Sequence, residues 1–314
     1  MILEIEKKLE TLARHAWDNE VDLPKIHRWR DNFTGRVFNE TIEHEYCLFM
    51  LSKFMYFSQR MVKEMLHSLY RDHFHGPLRR EIRVANEGTR DSSLIDSEYK
   101  KQLLKTRFIG SGNVSESGPH LLYLFRQLND LPVSLFTDFG TAFKEVVSDN
   151  QLKYVPTDKT ITRYVIFDDV VGSGRQVSDY LTLKLARIRE GTPNAELEFM
   201  CLFAATKGLQ ALNTPALFNG RAKCLFELDE TYKAFGTKPR YFTDAPTWFV
   251  SSDAEKISHI YGNPLFKRHS LGYRDGQLLL GFNHNTPNNT LPIFWKDGDR
   301  VAWTPIFKRY EKKK

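Results

Sequence analysis

An α/β fold built on a parallel sheet is what this sequence of 314 residues predicts, and three observations carry the prediction. Short continuous runs of β-branched and aromatic residues recur at 106–109, 164–167, 197–204 and 222–228, with the character of strands buried on both faces. Between them lie segments with apolar residues at helical spacing, an alternation that right-handed crossovers turn into a parallel sheet. Two of the runs lead straight into loops of Gly and Ser, at the carboxyl ends of strands where such sheets hold ligands.

Taken in order, residues 1–80 read as helices. From Glu43 to Tyr70 apolar side chains, among them Tyr46, Leu48, Phe49, Phe54, Phe57, Met61, Met65 and Leu69, are too dense for a helix with one exposed face. They predict a helical layer packed on the sheet domain. Residues 77–105 turn polar and charged, with RREIRVANEGTRDSS at their centre, and read as a linker or flexible loop. The expected organisation is an N-terminal helical region with its linker at 1–104, a core at 105–250, and a C-terminal hood with a basic tail at 251–314.

Hydrophobic residues at 41% and aromatics at 13% suffice for a folded core and exclude a disordered chain. Cys47, Cys201 and Cys224 lie far apart within apolar runs, as buried thiols of a reducing compartment do, and suggest no disulfide framework. His73 and His75 in RDHFHG lack a ligand set around them, so no protein-held metal is expected. The N-terminal MILEIEKKLETLARHAW has no apolar signal core, and no stretch is long enough to cross a bilayer. The expected location is the cytoplasm, with no membrane partner. Of the net charge of +6, five bases against Glu311 in residues 308–314 supply +4, so the body is nearly neutral. A basic tail can meet phosphates or an acidic partner, although solvated termini are commonly basic without function.

The central stretch is RYVIFDDVVGSGRQ, residues 163–176. Tyr164, Val165, Ile166 and Phe167 run into two adjacent acids, Asp168 and Asp169, then Val170, Val171 and the turn Gly172-Ser173-Gly174. From Arg175 and Gln176 a helix continues through Val177, Leu181, Leu185 and Ile188 to a stop at Gly191 and Pro193. Loop amides and the positive end of a helix suit a phosphate, and carboxylates at the strand end accept charge-assisted hydrogen bonds from sugar hydroxyls. The plain alternative is a strand-to-helix turn with Asp as turn former or cap. The acids stand about six residues before the helix, too far to cap it, and two like charges at a strand end need compensation.

The strand at 106–109 leads into Gly110-Ser111-Gly112-Asn113-Val114-Ser115-Glu116-Ser117-Gly118, then Pro119 and a helix with Leu121, Leu124, Phe125 and Leu128 on one face. This is a second strand, small-residue loop and helix, although a Gly/Ser connection of this kind is also an ordinary flexible loop. Residues 129–136 supply a candidate next strand, and a short helix is expected near 207–212. LGYRDGQLLLGF at 271–282 reads as a hairpin turning at Asp275-Gly276. In HNTPNNTLPIFW, Asn285 and Asn288 beside Phe294 and Trp295 could read and stack on a nucleobase, although Asn, Thr and Pro are also turn formers.

The central stretch resembles the ribose-phosphate signature of type I phosphoribosyltransferases. With GSGNVSESG and HNTPNNTLPIFW it looks like the phosphoribosyltransferase-like effector family of bacterial conflict systems (PRTase-CE), some of whose members accompany retrons, over roughly residues 40–310. The resemblance implies a phosphoribosyltransferase sheet with Asp168 and Asp169 as catalytic acids on ribose hydroxyls. It also implies a 5′-phosphate site over Val170, Val171, Gly172, Ser173, Gly174, Arg175 and Gln176. Ser111, Gly112, Ser115, Ser117 and Gly118 would hold the pyrophosphate of phosphoribosyl pyrophosphate, with magnesium arriving on that substrate. It further implies a role in antiphage defence, with protein partners from a defence operon, a reverse transcriptase with its DNA among the candidates. Type I enzymes often carry Asp or Thr where this chain has Gly172, and Thr where it has Gln176, so a side-chain base at the first loop position is missing. Two other readings stay open: a nucleosidase using water, and a nucleotide-sensing or partner-docking module without turnover.

Overall fold

The computed structural model describes residues 2–112, 117–148, 150–298 and 301–310. The chain begins with α1 (Ile2–His15), α2 (Leu23–Arg30), α3 (Glu40–Leu51), β1 (Met55–Phe57), α4 (Gln59–Tyr70), α5 (Gly76–Ala85) and α6 (Ser92–Leu104). It continues with β2 (Thr106–Gly110), α7 (Ser117–Leu128), β3 (Phe136–Thr137), α8 (Phe139–Ala142), β4 (Phe143–Ser148) and β5 (Gln151–Pro156). Then come β6 (Arg163–Val171), α9 (Arg175–Gly191), β7 (Glu196–Ala205), α10 (Thr206–Leu212), β8 (Ala222–Leu228), α11 (Ser251–Leu265), β9 (Leu280–Phe282) and α12 (Pro292–Trp295). Two compact units result: Lys63–Leu228, and Met1–Val62 together with Asp229–Lys314.

In the unit Lys63–Leu228, the described residues form a five-stranded sheet in the order β3-β2-β6-β7-β8, with every pairing parallel. This is the predicted α/β architecture, and the four predicted runs are β2, β6, β7 and β8. The central strand is apolar on both faces because both are covered. On one face Val177, Leu181, Leu185 and Ile188 of α9 join a buried cluster with Ile166 and Phe199. On the other, Phe108 packs its ring 5.0 Å from Phe74 and 5.4 Å from Phe125, which in turn lies 5.4 Å from Phe167. The start of β6 is anchored by Arg163, whose guanidinium lies 2.7 Å from Glu196 and 3.0 Å from Glu81.

Three expectations are corrected here. Residues 77–105 are not a loop but contain α5 and α6. Their charges sit on solvent faces while Leu78, Ile82, Ile95 and Tyr99 are buried, and Asp91 caps α6 by accepting from Ser93 N and Leu94 N. Of the expected strand at 129–136 only β3 forms, after a short 3₁₀ turn at Val133–Leu135. The expected hairpin at 271–282 is absent: Tyr273–Asp275 is a 3₁₀ turn, and β9 pairs in parallel with the distant β1. A hairpin that the sequence reading missed, β4 with β5, packs on α9, where a Cβ at Gly191 would lie 2.2 Å from Tyr154 O.

The other unit has its own aromatic core, including Trp17, Trp29, Phe33, Phe54, Phe294 and Phe307. Trp29 Nε1 donates to Ile293 O at 2.7 Å, joining residues remote in sequence. The fully buried Glu43 is satisfied by Gly35 N at 2.8 Å, Val37 N at 2.6 Å, Phe38 N at 3.1 Å and the Tyr261 hydroxyl. Cys47 and Cys201 are buried and Cys224 is half-buried, all three as free thiols. Among the described residues, no helix is long and apolar enough to cross a membrane.

Candidate active site

The acid pair lies within β6 rather than beyond it. β2 ends at Gly110, opposite Phe167, whereas β7 continues with Cys201 opposite Asp168 and Ala204 opposite Val171. Asp168 and Asp169 therefore occupy the step left where β2 has stopped, while β7 still holds their strand straight. Ser111 N extends the ladder by one bond to Phe167 O, at 2.7 Å, and the Ser111 hydroxyl donates to Asp168 Oδ2. Asp168 Oδ1 accepts from Asp169 N, and Asp169 Oδ1 from Val170 N, each at 2.8 Å. Both acids are half-buried. Desolvation, followed by the neighbouring charge of Asp169, raises the Asp168 carboxyl well above the usual carboxylate range, and the Ser111 hydroxyl opposes the rise.

The loop that follows is shaped by glycine. Gly174 is the N-cap of α9 with φ of +73°, in the left-handed region, and the cap position itself offers no side-chain oxygen to the first-turn amides. Gly208 of α10 lies directly against the loop. A Cβ on Gly208 would stand 2.2 Å from Gly172 O, and one on Gly174 would stand 3.0 Å from Gly208 O. The sequence reading did not single out Gly208. Its signal was present: a glycine inside a seven-residue helix carries a helical cost that needs a packing reason.

The other proposed residues fall into distinct places. Val171 is core, at 1% exposed, and Val170 and Ser173 are half-buried. Arg175 is exposed, with Nε 3.5 Å from Asp179, and Gln176 lies in the first turn of α9. Gly112 has φ of +82°, and its carbonyl accepts from Tyr180 of α9 at 3.4 Å, so the loop after β2 is tied to α9. A Cβ at Gly118 would meet Phe167 O and Ser111 O, each at 3.0 Å, so a side chain there would press on the ends of β6 and β2. Ser117 opens α7, and Ser115 lies outside the described residues.

Asn285 and Asn288 belong to the other unit. Asn285 Oδ1 accepts from Thr286 N at 3.0 Å and Tyr310 N at 3.2 Å, and Asn288 O accepts from Tyr273 N at 2.7 Å. The expected stacking partners, Phe294 and Trp295, are 0% and 3% exposed. They are core residues, with Trp295 Nε1 donating to Thr290 O at 2.8 Å, and offer no face to a base.

No group of three metal-ligating side chains occurs among the described residues. Two adjacent carboxylates fit a magnesium ion that keeps water and phosphate oxygens as its other ligands.

A search of curated proteins returned no match. Among solved structures, the chain is similar to a xanthine-guanine-hypoxanthine phosphoribosyltransferase of Helicobacter pylori, at 12% identity and a TM-score of 0.29, over 56% of this chain and 84% of that one. It is also similar to a purine phosphoribosyltransferase of Pyrococcus horikoshii, at 17% identity and a TM-score of 0.26, over 56% and 89% of the two chains. Those likenesses are distant, but the model of the PRTase-CE family matches residues 26–309. With nearly its whole length matched, the chain belongs to the PRTase-CE family.

Proposed function

We propose that the protein is a phosphoribosyltransferase-like effector of antiphage defence that binds a ribose phosphate at residues 168–176 and transfers or cleaves its ribosyl group. One observation carries the reading: Asp168 and Asp169 share the end of β6 with a loop whose glycine, Gly174, is the N-cap of α9 and brings no side-chain cap of its own. Asp168 and Asp169 accept hydrogen bonds from the ribose hydroxyls and face the positive charge that develops at the anomeric carbon. The backbone of Ser173, Gly174, Arg175 and Gln176 donates to the 5′-phosphate. Ser111 and Gly112 border the pyrophosphate. Magnesium arriving on the pyrophosphate would neutralise the charge of the leaving group, and Asp169 is the carboxylate that would hold it.

A second reading, a nucleotide-sensing or partner-docking module, is favoured by Gly172, which supplies no side-chain base. Mass spectrometry of nucleotide pools in cells expressing the wild type, beside a variant with Asn at 168 and 169, separates the readings. New ribosyl adducts mark transfer, free bases and ribose phosphates mark hydrolysis, and pools identical in both cultures under partner activation sink the enzymatic reading.

The resemblance to defence effectors further motivates control by a protein partner, so the chain expressed alone is expected to leave growth unaffected. Growth arrest by the isolated chain at operon-matched levels contradicts that control.

A further inference from the structure

β8 closes the five-stranded sheet: among the described residues it pairs with β7 alone, and its other edge is open. The ladder fixes which groups face that edge. Phe199 N donates to Arg221 O, and Ala222 turns both its backbone groups the other way, where the Asn213 side chain takes them at 2.8 and 3.0 Å. Ladder bonds alternate along a strand, so Cys224 and Phe226 also turn N–H and C=O away from β7. An open edge with apolar side chains is a template for another strand. Phe226 is 43% exposed beside half-buried Cys224 and Leu225, and one charge of each sign, Lys223 and Glu227, flanks them. The strand AKCLFEL is self-complementary when read against itself in the opposite direction about Leu225: Lys223 meets Glu227, Cys224 meets Phe226, and Leu225 meets itself. We propose that β8 pairs antiparallel with β8 of a second copy of this chain about a two-fold axis at Leu225, joining two five-stranded sheets into one.

The backbone and the side chains agree on this register. Cys224 and Phe226, whose groups point outward, become the hydrogen-bonded pairs, while Leu225 with itself and Lys223 with the partner's Glu227 become the closer, non-hydrogen-bonded pairs. An axis at Cys224 would need the backbone of Ala222, which Asn213 already occupies. Opposite charges directly across antiparallel strands stabilise and like charges oppose, and the two-fold axis makes each such pair occur twice. Glu227 is exposed, and Lys223 is half-buried with Nζ 4.0 Å from Glu198. The interface does not depend on the ribose-phosphate reading, whose site is built on β6.

Sedimentation equilibrium of the full chain at about 100 μM, above a micromolar dissociation constant, is expected to give the mass of two copies. Glu227→Lys, and separately Lys223→Glu, set like charges across the axis and are expected to sediment as monomers. The double variant restores opposite charges and is expected to restore the dimer. Because Lys223 also borders Glu198, a thermal melt accompanies each variant, and Leu225→Cys supplies a test that leaves the charges in place. Its thiols meet on the axis, at a Cα separation of about 4.5 Å, so oxidation with diamide is expected to link two copies. Wild-type Cys224, opposite the partner's Phe226, is expected to stay unlinked. A monomeric wild type, a dimer indifferent to Glu227→Lys, a folded double variant that stays monomeric, no linkage of Leu225→Cys, or linkage of the wild type through Cys224 overturns the proposal.

Discussion

Gly208→Ala is expected to reduce ribose-phosphate binding by on the order of a hundredfold, the scale of effect of a displacement near 1 Å at a positioned group. Helix propensity alone favours the change by about 1 kcal/mol. Packing decides against it, because the added Cβ would stand 2.2 Å from Gly172 O and 3.0 Å from Val171 Cγ1, in the loop after β6 and at the end of that strand. Either α10 or the loop must move, and overpacking of this kind costs about 1–3 kcal/mol of stability. Gln210→Ala, at an exposed position of the same helix, is the control and is expected to bind as the wild type does. Calorimetry with a thermal melt of each variant measures both effects, and wild-type binding by Gly208→Ala would show that α10 does not support the loop.

The second large effect is at the acid pair. Asn at 168 or at 169 keeps the shape and most of the hydrogen bonding but removes a charge, with an expected loss of one to two decades in the chemical step, or about 1.5–3 kcal/mol. The double variant is expected to approach inactivity, less than additively because both acids serve one sugar. Stability moves the other way. The folded-state pKa of Asp168 is raised by desolvation and by Asp169. The native state thus holds its proton more tightly than the unfolded chain. Its contribution to stability is complete below the unfolded-state value and is lost as pH rises through the folded-state value. Asp168→Asn is therefore expected to melt higher than the wild type at neutral pH, with the advantage vanishing in acid. A folded double variant with full activity reduces the pair to a turn.

The sheet and the strand-loop-helix that carries the proposed site were legible because their signals are local. Tyr164, Val165, Ile166 and Phe167 are apolar on every position, as a strand covered on both faces requires, and the glycines after them sit where φ turns positive or another backbone approaches. The tie from Ser111 to Asp168 and the support from Gly208 were not legible, because register between strands and packing of a helix on a loop join residues 57 and 36 positions apart respectively. Residues 77–105 misled because charged residues at helical positions look like a loop until the buried stripe of Leu78, Ile82, Ile95 and Tyr99 is seen. Phe294 and Trp295 misled for the opposite reason: the ring partners of Phe294, Trp29 and Phe54, and that of Trp295, Phe266, lie far away in the sequence, so buried rings resembled an exposed stacking platform.

Titration calorimetry of magnesium phosphoribosyl pyrophosphate into the purified chain, beside Gly174→Val, tests the ribose-phosphate site most directly. The valine side chain would force a left-handed position with φ of +73° and crowd Gly208 O, 3.0 Å from its Cβ. Saturable binding at one site per chain, lost in a folded Gly174→Val, is the predicted result; no binding by the wild type, or equal binding by both proteins, would contradict it.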